Sequence, residues 1–235
     1  MNGKNGDRIE RPPGESLWTD VRTLWFSPAG LFRSLAERPR SRGALVLLLA
    51  VVLLSTVLTL QVLLDTMEER GAEEIRARGG GAESLDLLRH PAVRAGLVLM
   101  APIALLAFLI ASAGAAFLLL SVTGGAEVDE TFARLFRVAT WAKLVEIPRM
   151  LLWVPIVLAK GSAEVSFGPA AFFSRDPESP LLAVLTSLDL FSVWFLALYI
   201  LGARIVLRVS GRRAAAAVLV PWALWQVIKV AASSV

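Results

Sequence analysis

Five stretches of this chain are apolar for about the length of a bilayer, and the residues between them are charged or rich in glycine and proline. The first charge-free run is Ala44 to Leu64. About twenty residues at 1.5 Å each cover a hydrocarbon core of about 30 Å. A second span lies within Ala95 to Val122, a third runs from about Val138 to Ala159, a fourth from Leu181 to about Ala203, and a fifth from Ala214 to about Ile228. In the second, Ala104, Ala107, Ala111 and Ala115 recur at helical spacing beside Gly114. Such a stripe either lets membrane helices approach closely or reflects an alanine-rich composition. Pro102 is a candidate kink.

The connections have their own pattern. Residues 1–15 are polar, contain Pro12-Pro13-Gly14 and read as a disordered arm. From Ser16 to Phe26, Leu17, Trp18, Val21, Leu24 and Trp25 fall on one helical face. Ser27-Pro28 reads as an N-cap and first-turn proline, and a second short helix through Leu31, Phe32 and Leu35 ends before Pro39. This arm either docks on a membrane surface or a partner, or packs on the protein's own bundle. Asp65 to Arg89 carries both charge signs, reads as a solvated helix and is broken at Gly79-Gly80-Gly81. Glu127 to Arg137 is a connection on the cytoplasmic side. The stretch from Lys160 to Pro180 is an external loop with Phe172-Phe173 able to dip into the interface. Trp18, Trp25, Trp153 and Trp194 are candidate interfacial anchors.

These elements predict an all-α polytopic bundle of five transmembrane helices. It divides into a cytoplasmic N-terminal arm over residues 1–42, with short amphipathic helices, and a membrane domain over residues 43–235. Eight Lys/Arg precede the first span, and Arg204, Arg208, Arg212 and Arg213 follow the fourth without an acid among them. The excess of cations places the N-terminus in the cytoplasm and, after five crossings, the C-terminus outside. No short apolar run with a small-residue cleavage site is visible before Ala44, so the first span is expected to act as the insertion signal.

Composition agrees. Of 235 residues, 56% are hydrophobic, and the mean hydropathy is +0.64. The formal net charge of +4 is read as the basic flanks of the spans. Nucleic acid is not an expected partner, because no basic recognition helix, zinc motif or aromatic platform is present. Without cysteine there is no disulfide, thiolate metal site or thiol nucleophile. The single histidine, His90, precedes Pro91 in a polar loop and is read as solvated. No metal or cofactor is expected. The sequence holds no G-x-S-x-G, H-E-x-x-H or phosphate-cradling glycine loop, which argues against an enzyme.

One stretch breaks the apolar pattern. Trp141 to Pro155 reads W-A-K-L-V-E-I-P-R-M-L-L-W-V-P and places Lys143, Glu146, Pro148 and Arg149 inside the third span. Ionisable groups at membrane depth cost roughly 2.5–3.5 kcal/mol each, so they need partners. Arg149 is expected about 15 Å below the outer edge and Asp189, in the fourth span, about 12 Å below it. This predicts an Arg149–Asp189 bridge beside a Lys143–Glu146 pair, with the carbonyl of Leu144 freed by Pro148. Such a neutral polar seam is either a static lock or part of an ion or solute pathway, and Lys143 is the side chain best able to snorkel.

The segments S-P-A-G-L-F-R-S-L-A-E-R-P, G-G-A-E-V-D-E-T-F-A-R-L-F-R-V-A-T-W-A-K-L-V-E-I-P and L-D-L-F-S-V-W-F-L-A-L-Y-I-L-G resemble the Yip-one family of Ypt/Rab-interacting membrane proteins, in its bacterial branch. The likeness covers about residues 27–230. It departs from the family where a tyrosine-alanine pair normally precedes the proline of the third span. Here the chain reads Thr140-Trp141-Ala142 and adds Lys143 and Glu146. The resemblance implies a non-enzymatic integral protein of the cytoplasmic membrane. Its expected partners are the lipid bilayer and a protein meeting the arm or the Arg204–Arg213 loop. The alternative is a small transporter or channel subunit.

Overall fold

In the computed structural model, residues 16–78, 90–123, 130–163, 165–169, 185 and 188–232 are described. Among them the architecture is all-helical. The helices are α1 (Leu17–Phe26), α2 (Pro28–Glu37), α3 (Arg42–Arg78), α4 (Pro91–Val122), α5 (Thr131–Lys143), α6 (Glu146–Lys160), α7 (Leu190–Leu207) and α8 (Gly211–Ala232). The arm before Ser16, the glycine run at 79–81 and Phe172-Phe173 lie outside the described residues.

Local chemistry sets the ends. The Ser16 hydroxyl accepts from the Thr19 amide at 3.3 Å and caps α1. Ser27 leaves the helical region at φ −151°, ψ 63°, as a residue before proline must, and Pro28 opens α2. Arg38, before Pro39, ends it in the same way. His90, read from sequence as a solvated loop residue, is the N-cap of α4: its Nδ1 accepts from the Ala92 amide at 3.2 Å. Arg208 closes α7 in the left-handed region at φ 54°, and only Val209 and Ser210 separate it from α8.

Four helices are long and apolar enough to cross a membrane: α3 over Arg42–Glu69, α4, α7, and α8 over Gly211–Ala231. The exposed surface of the bundle is apolar, with Leu54 and Leu58 on α3, Met100 and Ile103 on α4, Leu151 on α6 and Val227 on α8 all more than half exposed. Apolar patches of this extent are the mark of a lipid-facing surface.

The structure departs from the sequence-based expectations, or decides between them, at four points. The uninterrupted third span is absent: it is divided into α5 and α6, of 13 and 15 residues. The helix α5 also absorbs Thr131 to Arg137, which the sequence suggested was connecting chain. The stripe of Ala104, Ala107, Ala111 and Ala115 does not form the packing face of α4. Leu105, Leu109, Ala113, Ala116 and Leu120 do, while Ala104, Ala107 and Ala111 are exposed. Finally, α3 runs without interruption past Leu64 to Arg78, so the charged segment after the first span continues the same helix.

At the centre, α5 packs against α4 and α7, with Leu135, Val138, Ala139, Trp141 and Ala142 at 0–1% exposure. α8 covers α4 and α7, and α3 packs on α4 and α6. The arm helix α2 lies on α7 and sinks Leu31, Phe32 and Leu35 into the same core, so this part of the arm packs on the bundle. Gly202 permits that approach. A methyl group there would stand 2.7 Å from the Phe32 ring and collide with Val138. Gly96 on α4 has nothing within 4 Å of such a methyl. Gly202→Ala should therefore destabilise the protein by about 1–3 kcal/mol through overpacking. Gly96→Ala should be neutral or stabilising by up to about 1 kcal/mol. Denaturant titration in detergent micelles measures both.

Candidate functional site: a closed polar cluster at a helix break

The break between α5 and α6 has a definite cause. Proline at 148 has no amide hydrogen to give the carbonyl of Leu144, four residues back. The chain responds by tightening. Leu144 donates to the Trp141 carbonyl at 3.2 Å, Val145 to Ala142 at 3.4 Å and Ile147 to Leu144 at 3.0 Å, all three-residue steps of 3₁₀ type. The Leu144 carbonyl, expected to be free, is thus satisfied by Ile147. Pro148 itself sits in the first turn of α6, where a missing donor costs little.

The turn presents charges on both sides of the break. Lys143 ends α5 and Glu146 begins α6. Lys143 Nζ donates to Glu146 Oε1 at 2.5 Å, and Arg149 donates from one terminal nitrogen to Glu146 Oε2 at 3.0 Å. The other terminal nitrogen of Arg149 stands 3.9 Å from Asp189 Oδ2. Glu146 and Asp189 are buried, at 7% and 6% exposure, while the Arg149 side chain is one-third exposed. Lys143 also stands over two neighbouring rings, 4.6 Å from the centroid of Phe108 and 5.0 Å from that of Phe195. Cation–π contacts of this kind offset part of the loss of water around an ammonium.

The partition differs from the sequence reading in two respects. Glu146 serves both cations, so Arg149 is held chiefly within its own helix and its contact to Asp189 is at the limit of an ion pair. Asp189, expected inside the fourth span, stands one residue before the long apolar helix Leu190–Leu207. It is the N-cap of α7, with extended backbone at φ −93°, ψ 162°, and its Oδ1 accepts from the Ser192 amide at 2.6 Å. Next to it, Phe167 packs edge-on against Phe191 at 5.6 Å, and a side chain at Gly168 would meet the Leu188 carbonyl at 2.7 Å.

A second ionic junction was missed from sequence. Arg40, just before α3, grips Asp20 of α1 with two donors, at 2.6 and 2.5 Å, and reaches Ser34 of α2 at 2.9 Å. Its backbone carbonyl accepts from Trp141 Nε1 at 2.8 Å. One residue therefore joins α1, α2 and α5. The available signal was Asp20 itself, an acid one turn from Leu17 and Leu24 on the apolar face of α1. Of the four tryptophans, Trp25 and Trp194 pack on each other with centroids 4.6 Å apart. Trp153 is half-buried on α6, and Trp18 projects with 69% of its surface exposed.

A model of the Yip1 domain matches residues 22–232, from within α1 to the end of α8. The chain belongs to the Yip1 domain family. With its apolar helices, this Yip1-domain protein is an integral multi-pass membrane protein. No curated protein and no solved structure matches it. The matched segment contains both ionic junctions except for Asp20, two residues before it begins.

Three substitutions test the geometry, at Glu146, Asp189 and Trp141. Glu146→Gln removes the negative charge and one of the two acceptor oxygens that Lys143 and Arg149 share, and should cost about 3–5 kcal/mol, as removal of one partner from a buried pair does. Asp189→Asn keeps a capping oxygen and should cost under about 1 kcal/mol, whereas Asp189→Ala loses the cap and should cost about 1–2 kcal/mol. Denaturant titration in micelles gives that order. Trp141→Phe removes the donor to Arg40, which should cost about 1 kcal/mol and speed limited proteolysis at the junction between α2 and α3.

Proposed function

We propose that this Yip1-domain protein is a non-enzymatic scaffold or adaptor of the bacterial cytoplasmic membrane. In this reading it makes five crossings, the fourth and fifth being α7 and α8, and the third being the broken pair α5–α6. The N-terminus is cytoplasmic and the C-terminus outside. The observation that carries the scaffold reading is the closure of the polar cluster. Three of the four carboxylate oxygens accept hydrogen bonds, those of Glu146 from Lys143 and Arg149 and Oδ1 of Asp189 from the Ser192 amide, and Oδ2 of Asp189 faces Arg149 at 3.9 Å. Pairing of this kind neutralises the cluster from within, and its value is to hold α5, α6 and α7 in register. The outward stripe of α1, with Trp18, Arg22 and Phe26 one turn apart, supports a surface for a partner or the membrane interface.

The alternative is a small transporter or channel subunit using Lys143, Glu146, Arg149 and Asp189. It draws support from one-third exposure of Arg149, its buried Nε without a partner, and the 3₁₀ turn at the centre of the cluster.

The native chain offers no thiol, so single cysteines report topology cleanly. Cysteines at Asn5 and Ser234 should react with an impermeant maleimide from opposite faces of the membrane. Reaction from the same face means an even number of crossings and removes α5–α6 from the count. In proteoliposomes the wild-type protein should pass no more potassium, sodium or protons than empty vesicles. A flux abolished by Glu146→Gln at unchanged folding makes the transporter reading the correct one.

A further inference from the structure

A groove of about 360 Å³ runs between α2 and the end of α7. Its floor is apolar, formed by Ala29, Leu201 and Ile205, and its rim carries Arg33, Arg204 and Arg208. No carboxylate lines it. The ion pairs among the described residues engage Arg40, Arg134, Lys143 and Arg149, and none of the three rim arginines. All three are exposed. Three like charges gathered around one apolar cleft repel one another, and an anion between them relieves that repulsion. The first turn of α2 opens on the same groove through Ala29, and Ser27 places no side-chain bond on it. That helix end adds partial positive charge and amide donors.

The position of the groove selects the anion. It lies at the last turn of α7, a helix apolar enough to cross the membrane. The end of a span is where the phosphates of a leaflet stand, and the basic residues beyond α7 mark that leaflet as the cytoplasmic one. A cleft with guanidinium groups at its rim and leucine and isoleucine at its base fits a molecule with a phosphate at one end and hydrocarbon at the other. Guanidinium forks bind phosphate oxygens in pairs, which a diffuse surface charge does not.

We propose that the groove between α2 and α7 is a binding site for the phosphodiester headgroup of an anionic phospholipid, held by Arg33, Arg204 and Arg208. The bound lipid bridges the arm helix to the membrane domain from the outside, as Arg40 does from the inside. This rests on α7 being a span whose Arg204 end faces the cytoplasm.

The test uses the full chain in detergent, titrated with short-chain phosphatidylglycerol, with phosphatidylcholine of the same chain length, and with inorganic phosphate, reading the melting temperature and native mass spectra. Phosphatidylglycerol should raise the melting temperature and appear as a bound adduct, and the other two should do neither. R33Q/R208Q should weaken the phosphatidylglycerol effect about tenfold or more. R212Q/R213Q, which removes the same charge just beyond the groove, should leave it within about twofold. If R33Q/R208Q folds poorly, R204Q alone should give the same direction with a smaller loss. An equal response to phosphatidylcholine overturns the headgroup, a response to inorganic phosphate without the lipid overturns the lipid, and equal loss in both double variants overturns the site. The topological premise is read separately. A cysteine at Ser210 that reacts only from outside refutes the cytoplasmic placement, even if the lipid binds in detergent.

Discussion

A carboxylate removed from water must keep its counter-charges, and Glu146 is the carboxylate around which this bundle is arranged. It is 7% exposed and bound by Lys143 on one oxygen and Arg149 on the other. The residues it joins lie on either side of a helix break, so the pairings also fix the angle between α5 and α6. The attraction must offset a desolvation cost of several kcal/mol per ion. It does so with short contacts and with the faces of Phe108 and Phe195 around the ammonium. Such a cluster contributes less to net stability than to choosing one arrangement, because any other leaves a buried charge unmatched.

The same logic operates at Arg40. A bidentate bond to Asp20 and a backbone bond from Trp141 draw two amphipathic helices into contact with the membrane domain. The consequence is visible in burial: Phe32 and Leu31 are as enclosed as any residue of the long helices. The arm is therefore integral to the bundle from Ser16 onward. What it leaves outside is narrow, the Trp18–Phe26 stripe of α1 and the arginine-rimmed groove beside α2. The polar features of the protein thus divide by placement. The carboxylates of Glu146, Asp189 and Asp20 are buried against cations, and Arg33, Arg204 and Arg208 face outward at the groove.

Much of this was legible in the chain. Membrane helices betray themselves because lipid offers no hydrogen bonds, so length and hydropathy alone locate α3, α4, α7 and α8 to within a few residues at most ends. The end of α3, which runs on to Arg78, and the start of α7 are the exceptions. The sequence reading placed Asp189 inside a span, and the structure makes it the cap of α7. The pairing of Lys143 with Glu146 follows from spacing. The second bond of Glu146, to Arg149, follows from the same spacing, but a more distant acid at 189 competed for the arginine in the sequence reading. Depth along two helices brings Arg149 and Asp189 near each other, and the structure leaves them 3.9 Å apart.

The sequence by itself determined the four long apolar helices, the family and the presence of charges needing partners, since each depends on residue pattern along the chain. The tertiary structure alone decided which partners were chosen. That Leu105 and Leu109 face inward on α4 instead of the alanines, that Trp141 finds Arg40 a hundred and one residues away, and that Arg33 joins Arg204 at one groove depend on how helices are rotated and stacked. Rotation about a helix axis is weakly encoded when every face is apolar. It is fixed only when the buried polar groups of the assembled bundle find one another.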